Sequence, residues 1–159
     1  MAQVLPQTDS TLITFNAFKD KFGQDGSIMV IGVKDEKLYE LDYFNEWLAL
    51  SDRLKTVEGI DNVVSLATVY GLKKDKVNKK LTPYPIIEKA PATQQELDSL
   101  LSEIYDLPFY EGLVFSKDRK TTLMALTLDR TLLDSKDRKV LMNDVYLEID
   151  LFKEKTTWL

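Results

Sequence analysis

The segment 42–58, DYFNEWLALSDRLKTVE, constrains the fold of this chain most, because its apolar residues recur every three or four positions. Such spacing places one apolar stripe along an α-helix. The stripe comprises Phe44, Trp47, Leu48, Ser51, Leu54 and Val57. Asp42 is placed to cap the first turn, and Gly59 suits the left-handed residue that ends a helix. We therefore predict a helix over 42–58 that buries this stripe.

Apolar runs on both sides of this helix have the length of β-strands. Residues 27–33, SIMVIGV, are apolar after the serine, and such a continuous run predicts a strand at the centre of a sheet. Residues 62–69, NVVSLATV, predict a second strand, so the three segments form a strand–helix–strand unit. Ahead of them, residues 1–15 are a polar lead-in, in which 11–15, TLITF, predicts a short strand.

The second half of the chain begins with a helix signal. Thr93 and Glu96 in TQQELDSLLSEIYDLP fit the capping-box pattern, and leucine and isoleucine follow at helical spacing. Pro108 is expected to end this helix. Residues 112–116 and 121–128 then predict a hairpin around the polar turn KDRK.

A last helix is predicted from near Ser135 to Phe152. Its expected buried face comprises Val140, Leu141, Val145, Ile149 and Phe152. The region 72–92, rich in lysine and proline, is interpreted as a charged connection exposed to solvent. Its lysines also suggest an anionic partner, but no aromatic residue interleaves the lysine run as binding to a single-stranded nucleic acid would require.

The predicted order of elements is strand, helix, strand, helix, strand, strand, helix, which is typical of an α+β sandwich. We predict one domain over residues 1–159, built as a ferredoxin-like βαββαβ unit with an inserted helix and hairpin. Its final strand is expected to be missing, because the chain stops at Leu159, just after the last helix. That strand would pair with 28–33, whose open side should then be covered by 11–15 or by the same edge of a second copy.

Histidine and cysteine are absent from all 159 residues. Catalysis by Ser-His or Cys-His pairs, histidine proton shuttles, disulfides and thiolate metal sites are therefore excluded. The 21 basic and 26 acidic residues give a net charge of −5, which disfavours a nucleic-acid partner. We accordingly predict no enzyme and no catalytic, metal-binding or cofactor-binding residue.

Two loop-like motifs and one aromatic residue have simpler interpretations than a binding site. Gly23 and Gly26 precede a strand rather than a helix, which favours a turn over a phosphate-binding loop. Residues 52–62, DRLKTVEGIDN, lack the spacing of a calcium-binding EF-hand loop. Trp47 is a candidate for lining a ligand cleft, but its helical spacing favours the core.

Acidic pairs are weak signals in a chain with so many carboxylates. The candidates for acid–base or metal chemistry are Asp35 and Glu36, Asp134 and Asp137, and Asp144 and Glu148. Each pair falls where surface charge is expected, in a turn or on the outer face of a helix.

No segment approaches the roughly 20 apolar residues that span a bilayer. The N-terminal residues also lack the basic and apolar regions of a signal peptide. Taken literally, the sequence predicts a soluble protein, and it is equally compatible with a piece of a larger one.

Three stretches occur in an informative order. FNAFKDKFGQDGSIMVIGV carries a Phe-Gly pair (22–23) ahead of a strand, and LKTVEGIDNVVSL follows the helix with Gly59 and a Val-Val-Ser-Leu strand at 63–66. LPFYEGLVFSKDRKTTLMAL comes later. From about residue 16 to 151, this order resembles the first extracytoplasmic loop of resistance–nodulation–division (RND) transporters, above all the mycobacterial-membrane-protein-large branch.

The resemblance implies the periplasmic porter-type domain of a proton-driven exporter of lipids or amphiphilic small molecules in the inner membrane. Its partners would be the membrane helices and the second periplasmic loop of the same transporter, and a homo-oligomer is compatible with it. The family's proton-relay acids lie in membrane helices, so none is carried onto this sequence.

Two other classes of function stay open on the sequence alone. The first is a free-standing ferredoxin-like binding or regulatory module. The second is a small carboxylate-based enzyme, which would show a buried acidic cluster in a cleft.

Overall fold

The computed structural model describes residues 27–74 and 81–157. Its elements, in chain order, are β1 (Ile28–Val33), α1 (Leu41–Leu54), β2 (Ile60–Val64), β3 (Tyr70–Lys74), β4 (Leu81–Pro85), α2 (Gln94–Tyr105), β5 (Thr122–Leu128), α3 (Arg130–Leu133) and α4 (Arg138–Thr156). Short 3-10 turns lie at Glu36–Tyr39, Leu66–Thr68 and Pro108–Tyr110. Helices and antiparallel sheets make this an α+β fold, as predicted. The strand predicted at 11–15 and the turn at Gly23 and Gly26 lie outside the described residues.

Strands β1, β5 and β2 form a three-stranded antiparallel sheet with β5 in the centre. Among the described residues β1 pairs only with β5, so its outer side is open there, as expected when the final strand is missing. The central position predicted for 27–33 is not reached within the described part of the sheet. Ile28 and Val30 are 63% and 55% exposed, whereas Met29 and Ile31 pack against the core. A continuous apolar run usually indicates burial on both faces. Here one face of β1 packs inward and the other meets solvent.

Helix α1 ends earlier than the predicted 42–58, and Asp42 lies within its first turn rather than at its cap. Its end tightens into a 3-10 turn, where the amide of Thr56 donates to the carbonyl of Arg53 at 2.9 Å. The hydroxyl of Thr56 donates to the same carbonyl at 2.7 Å. Gly59 has the predicted left-handed conformation, with φ 92°, but it lies in the turn into β2.

Two hydrophobic cores meet along α1. The first core, between the three-stranded sheet and helices α1 and α4, comprises Leu38, Tyr43, Trp47, Leu50, Leu54, Val63, Met124, Leu126, Leu128, Leu141, Val145 and Phe152. The second core, around α2, comprises Phe44, Leu66, Val69, Ile86, Ile87, Leu97, Leu101, Ile104, Val114 and Phe115. Because α1 packs on two sides, it buries more than one stripe.

The predicted stripe of α1 is therefore only partly right. Its members that are buried as predicted are Phe44, Trp47, Ser51 and Leu54. Leu48 and Val57 are only partly buried, and the prediction missed Tyr43 and Leu50. Both missed residues lie in the first core.

The second predicted strand, 62–69, is interrupted by a turn. Strand β2 ends at Val64, and the Ser65 hydroxyl accepts a hydrogen bond from the Ala67 amide at 3.1 Å. The Ser65 amide in turn donates to the Thr68 hydroxyl at 2.8 Å. This reciprocal capping turns the chain out of the three-stranded sheet.

The region 72–92, predicted to be a connection, contains most of a two-stranded sheet instead. Strands β3 and β4 pair antiparallel, with Leu72 opposite Pro83. Tyr84 covers Gly71 so closely that a Cβ on Gly71 would lie 2.6 Å from the tyrosine ring. The pattern was missed because lysine and proline are uncommon in strands, although an edge strand tolerates proline.

Helix α2 begins as predicted. The Thr93 hydroxyl accepts a hydrogen bond from the Glu96 amide at 3.2 Å. The Glu96 carboxylate accepts a hydrogen bond from the Ala92 amide at 2.9 Å. A capping box would have used the amide of Thr93, one residue later. Of the predicted hairpin, β5 is a full strand, but its partner is reduced to a single bridge between Phe115 and Thr122.

Helix α4 begins at Arg138 and extends beyond the predicted end at Phe152. The predicted buried positions Leu141, Val145 and Phe152 are confirmed, Ile149 is partly buried, and Val140 is 59% exposed. None of the helices within 27–74 and 81–157 is both long and apolar enough to cross a membrane.

Candidate functional site

The acidic pair Asp35 and Glu36 serves local structure. Asp35 Oδ1 accepts a hydrogen bond from the Lys37 amide at 3.0 Å and so caps the first 3-10 turn. Glu36 forms an exposed ion pair with Lys120, with 2.8 Å between Oε1 and Nζ. Neither carboxylate is buried, as a catalytic pair in a cleft would be.

The other two acidic pairs do not form a site either. Asp134 lies 3.7 Å from Arg130 on the surface, and Glu148 lies 2.5 Å from Arg53, which ties α4 to α1. In the described part of the chain, no group of three or more acidic side chains is arranged to hold a metal ion.

Trp47 belongs to the first core. Its side chain is fully buried, and its ring packs edge-to-face against Phe152 with 5.6 Å between centroids. The core interpretation is confirmed, and the residue does not line a ligand cleft.

The two-stranded sheet exposes one apolar face, which we call the hairpin face. Its apolar residues are Tyr70, Leu72, Leu81, Pro83 and Pro85, and the register places Lys74, opposite Leu81, on the same side. Strand pairing places these residues on the same side, because alternate residues of a strand share a face. Tyr70, Leu72 and Leu81 are 51%, 55% and 63% exposed. An exposed apolar surface of this kind is typical of an interaction site.

The opposite face of the two-stranded sheet is fixed to the body of the molecule. The Tyr84 hydroxyl donates a hydrogen bond to Glu103 of α2. This hydrogen bond, together with desolvation, raises the pKa of Tyr84. At the start of β3, the Tyr110 hydroxyl accepts from the Tyr70 amide at 2.8 Å and donates to the Tyr70 carbonyl at 3.1 Å. The hairpin face is thus held in place from behind.

A groove of about 380 Å³ lies between β2 and the two-stranded sheet. Its lining residues are Lys55, Asn62, Val63, Val64, Ala67, Thr68, Tyr70, Pro85, Ile87 and Tyr110. Tyr70 and Pro85 also belong to the hairpin face, so the two surfaces are continuous. Lys55 contributes a cation that is already paired with Asp52 at 2.8 Å.

The groove borders the three-stranded sheet at Val64. Val64 lines the groove, and it lies opposite Ala125, which lies opposite Val30 on the other side of β5. These three residues form one row across the sheet. The exposed side chains of Ile28 and Val30 lie on the same face of the sheet, at the outer strand of its described part.

The lining of the groove suits binding rather than reaction. No carboxylate is among its described lining residues, so an acid–base pair is not available there. Aliphatic side chains, proline rings and phenol rings offer contact to hydrocarbon, and Lys55, Asn62 and Thr68 offer polar atoms at its walls. This surface is our candidate functional site.

Sequence reasoning missed these residues, although one signal was present. In LTPYP, residues 81, 83 and 85 alternate with residues of the inner face, so one side of the strand reads Leu-Pro-Pro. A strand with only apolar residues on its solvent side is a candidate interaction surface.

Comparisons with known proteins give no relative. No protein-family model matches the sequence, and neither a curated protein nor a solved structure matches it.

Proposed function

We propose that this chain is the extracytoplasmic porter-type domain of an RND-type exporter of lipids or amphiphilic small molecules. The observation that carries the proposal is the groove of mixed polar and apolar lining, which is continuous with the apolar hairpin face at Tyr70 and Pro85 and borders the three-stranded sheet at Val64. The sequence resemblance points to the same class. In this role the surface would guide the apolar part of a substrate past the domain.

The strand order supports the ferredoxin-like part of the proposal. In such a unit, two parallel strands joined by a helix flank a third strand that is antiparallel to both, as β1 and β2 flank β5 here. No strand among the described residues pairs with the outer side of β1. We propose that residues 11–15 or the same edge of a second copy cover this side.

The mechanical role follows from alternating access. A transporter needs a rigid lobe that moves as a body against its neighbours and so transmits the motion of the membrane helices. The partners in this proposal are the membrane helices and second periplasmic loop of the same inner-membrane protein, in a monomer or homo-oligomer. Turnover and a bound metal are not part of it.

The alternative is a free-standing binding or regulatory module. The same groove would serve such a module, because an apolar surface binds amphiphiles whether or not it belongs to a transporter. The reading frame separates the two: an apolar stretch of about 20 residues on each side of this segment would indicate the exporter.

Binding is tested with a fluorescent acyl chain, a dansylated undecanoic acid, titrated into the purified chain. We expect saturable binding that falls at least tenfold in the double variant Tyr70→Ser with Leu72→Ser. The matched control is Tyr146→Ser with Leu147→Ser on α4, because Tyr146 and Leu147 are 55% and 62% exposed, much as Tyr70 and Leu72 are at 51% and 55%.

Absence of saturable binding would overturn the role of the groove. An equal loss in the two double variants would do the same, since it would indicate adsorption to any exposed apolar residue.

A further inference from the structure

A second cleft, separate from the apolar groove, lies beside α2 and has a volume of about 410 Å³. Its lining residues are Tyr39, Asp98, Leu101, Ser102, Tyr105, Asp106 and Arg119. They come from the first 3-10 turn, from α2 and its C-terminal end, and from the turn before β5. The lining combines one cation, two carboxylates and two phenol rings.

Arg119 is held at this cleft in an unusual way. Its φ is 57°, and it is the only residue other than glycine with a positive φ in the described part of the chain. Its amide donates to the Ser116 carbonyl at 2.8 Å, which fixes the turn. The guanidinium carbon lies 4.2 Å from the centre of the Tyr105 ring. This stacking orients the cation while leaving its N–H groups available.

The ion pairs among the described residues do not include Arg119. Its donors are therefore available to an oxyanion, which a guanidinium binds with two parallel hydrogen bonds. The two phenols line the same cleft. The Tyr39 hydroxyl shares a hydrogen bond with the Thr122 hydroxyl at 3.2 Å, and burial together with a hydrogen bond to Tyr39 raises the pKa of Tyr105.

The carboxylates on the same cleft exclude a simple anion as the preferred ligand. Asp98 is held by the Gln94 side chain, whose amide donates to Oδ1 at 2.8 Å, and Asp106 follows α2. Both would repel an oxyanion that carries no positive group, whereas Arg119 would repel a simple cation. An ammonium group is attracted by carboxylates and by the faces of aromatic rings.

We propose that this cleft binds a zwitterion in which a phosphate and an ammonium group are joined by a short carbon linker. The phosphate contacts Arg119, and the ammonium lies toward Asp98 and Asp106. Phosphoethanolamine has this chemistry, either free or as a lipid headgroup. The proposal concerns a different site from the apolar groove and does not depend on the exporter assignment.

The test titrates O-phosphoethanolamine into the full chain and follows the backbone amide ¹⁵N chemical shifts of residues 102 and 119. Inorganic phosphate and ethanolamine are titrated separately. We expect phosphoethanolamine to bind at least tenfold more tightly than either fragment. Arg119→Gly should lose this binding and keep the fold, because glycine adopts a positive φ freely. The matched control is Lys117→Gly, since Lys117 is an exposed cation in the same turn and does not line the cleft.

Asp98→Asn combined with Asp106→Asn should narrow the preference for phosphoethanolamine over inorganic phosphate. Lysophosphatidylethanolamine, used below its micelle-forming concentration, distinguishes a lipid headgroup from free phosphoethanolamine as the ligand. If the lysolipid binds more tightly than phosphoethanolamine, the ligand is a lipid. If the two bind equally, the ligand is the free zwitterion. Unchanged binding in Arg119→Gly, or equal affinity for phosphate alone, would overturn the proposal. If lysolipid binding is lost only in the double variant Tyr70→Ser with Leu72→Ser, the lysolipid binds in the groove and not in the cleft. In that case the cleft proposal fails and the proposed function stands.

Discussion

Trp47 is fully buried between α1 and α4, and its ring contacts Phe152. We expect Trp47→Ala to lower the free energy of unfolding by about 3–5 kcal/mol, because it leaves a large cavity in the first core. Trp47→Phe should cost less, since it keeps an aromatic contact and removes an indole N–H that has no hydrogen-bond partner in the described structure. Urea denaturation followed by circular dichroism measures both. A loss below about 1 kcal/mol for Trp47→Ala would contradict the core assignment.

Substitutions at Gly59 and Gly112 distinguish the cost of backbone strain from the cost of steric overlap. Both have positive φ, 92° and 79°, but a Cβ on Gly59 would lie 2.7 Å from Leu132, whereas a Cβ on Gly112 would meet nothing within 4 Å. Gly112→Ala should therefore cost about 1–2 kcal/mol of unfolding free energy from strain alone. Gly59→Ala should cost more, because the Leu132 side chain, which packs against the first core, must also move. Equal costs in thermal or urea unfolding would show that the contact with Leu132 relaxes freely.

Asp129 is expected to make stability depend on pH. Its carboxylate accepts hydrogen bonds from the Thr131 hydroxyl and amide, both at 2.7 Å, and these lower its pKa from the ordinary 3.8. A carboxyl group whose pKa is lowered by folding stabilises the folded state at pH values above its unfolded-state pKa. This contribution is lost as the pH falls through the folded-state pKa. Thr131→Val should raise the pKa of Asp129, whereas Thr131→Ser should not. The pKa of Asp129 is measured from the pH dependence of its carboxyl ¹³C chemical shift. Identical titration curves in the two variants would contradict a role of the Thr131 hydroxyl.

At the scale of elements, β1 shows how an apolar strand is used at an edge. The Leu128 amide donates to the Ser27 carbonyl at 2.7 Å, and the register places Ile28 opposite Thr127. Since hydrogen-bonded pairs alternate along an antiparallel ladder, the N–H groups of Ile28 and Val30 point away from β5. Those of Met29 and Ile31 point toward it.

Hydrogen exchange tests this edge directly. If the outer side of β1 is open in the isolated chain, the amides of Ile28, Val30 and Gly32 should exchange near the rate of an unstructured amide. Those of Met29 and Ile31 should be protected, because they pair with β5. Protection of all five amides would show that another strand covers the edge. A dependence of that protection on protein concentration would identify the strand as a second copy.

At the scale of the whole molecule, α1 joins the two cores. Phe44 packs into the second core, while Trp47 packs into the first, one turn further along the same helix. We expect one cooperative unfolding transition, seen at the same urea concentration by circular dichroism and by tryptophan fluorescence. Phe44→Ala should lower the free energy of unfolding by about 3–5 kcal/mol, and the two probes should report the same decrease.

The matched control is Phe109→Ala, which removes a phenylalanine that is 55% exposed and should change stability by less than about 0.5 kcal/mol. Two separate transitions, with only one shifted by Phe44→Ala, would show that the cores unfold independently.

Local signals in the sequence were sufficient for the three longer helices and for the N-terminal cap of α2. The spacing of Phe44, Trp47 and Leu54 predicted α1, Thr93 predicted the start of α2, and Gly59 predicted a left-handed residue. These predictions hold because hydrogen bonds within a helix and φ preferences depend on residues close in the chain. The α+β class followed from the order of such elements.

Only the tertiary structure decided which surfaces are open. The run Ile28–Val33 reads as a strand buried on both faces, yet Ile28 and Val30 are exposed, and among the described strands it pairs only with β5, which lies far along the chain. The residues of the groove, such as Val64, Pro85 and Tyr110, come from segments distant in sequence. Exposure depends on what packs against a residue across the fold, and hydrophobic patterns along the chain do not contain that information.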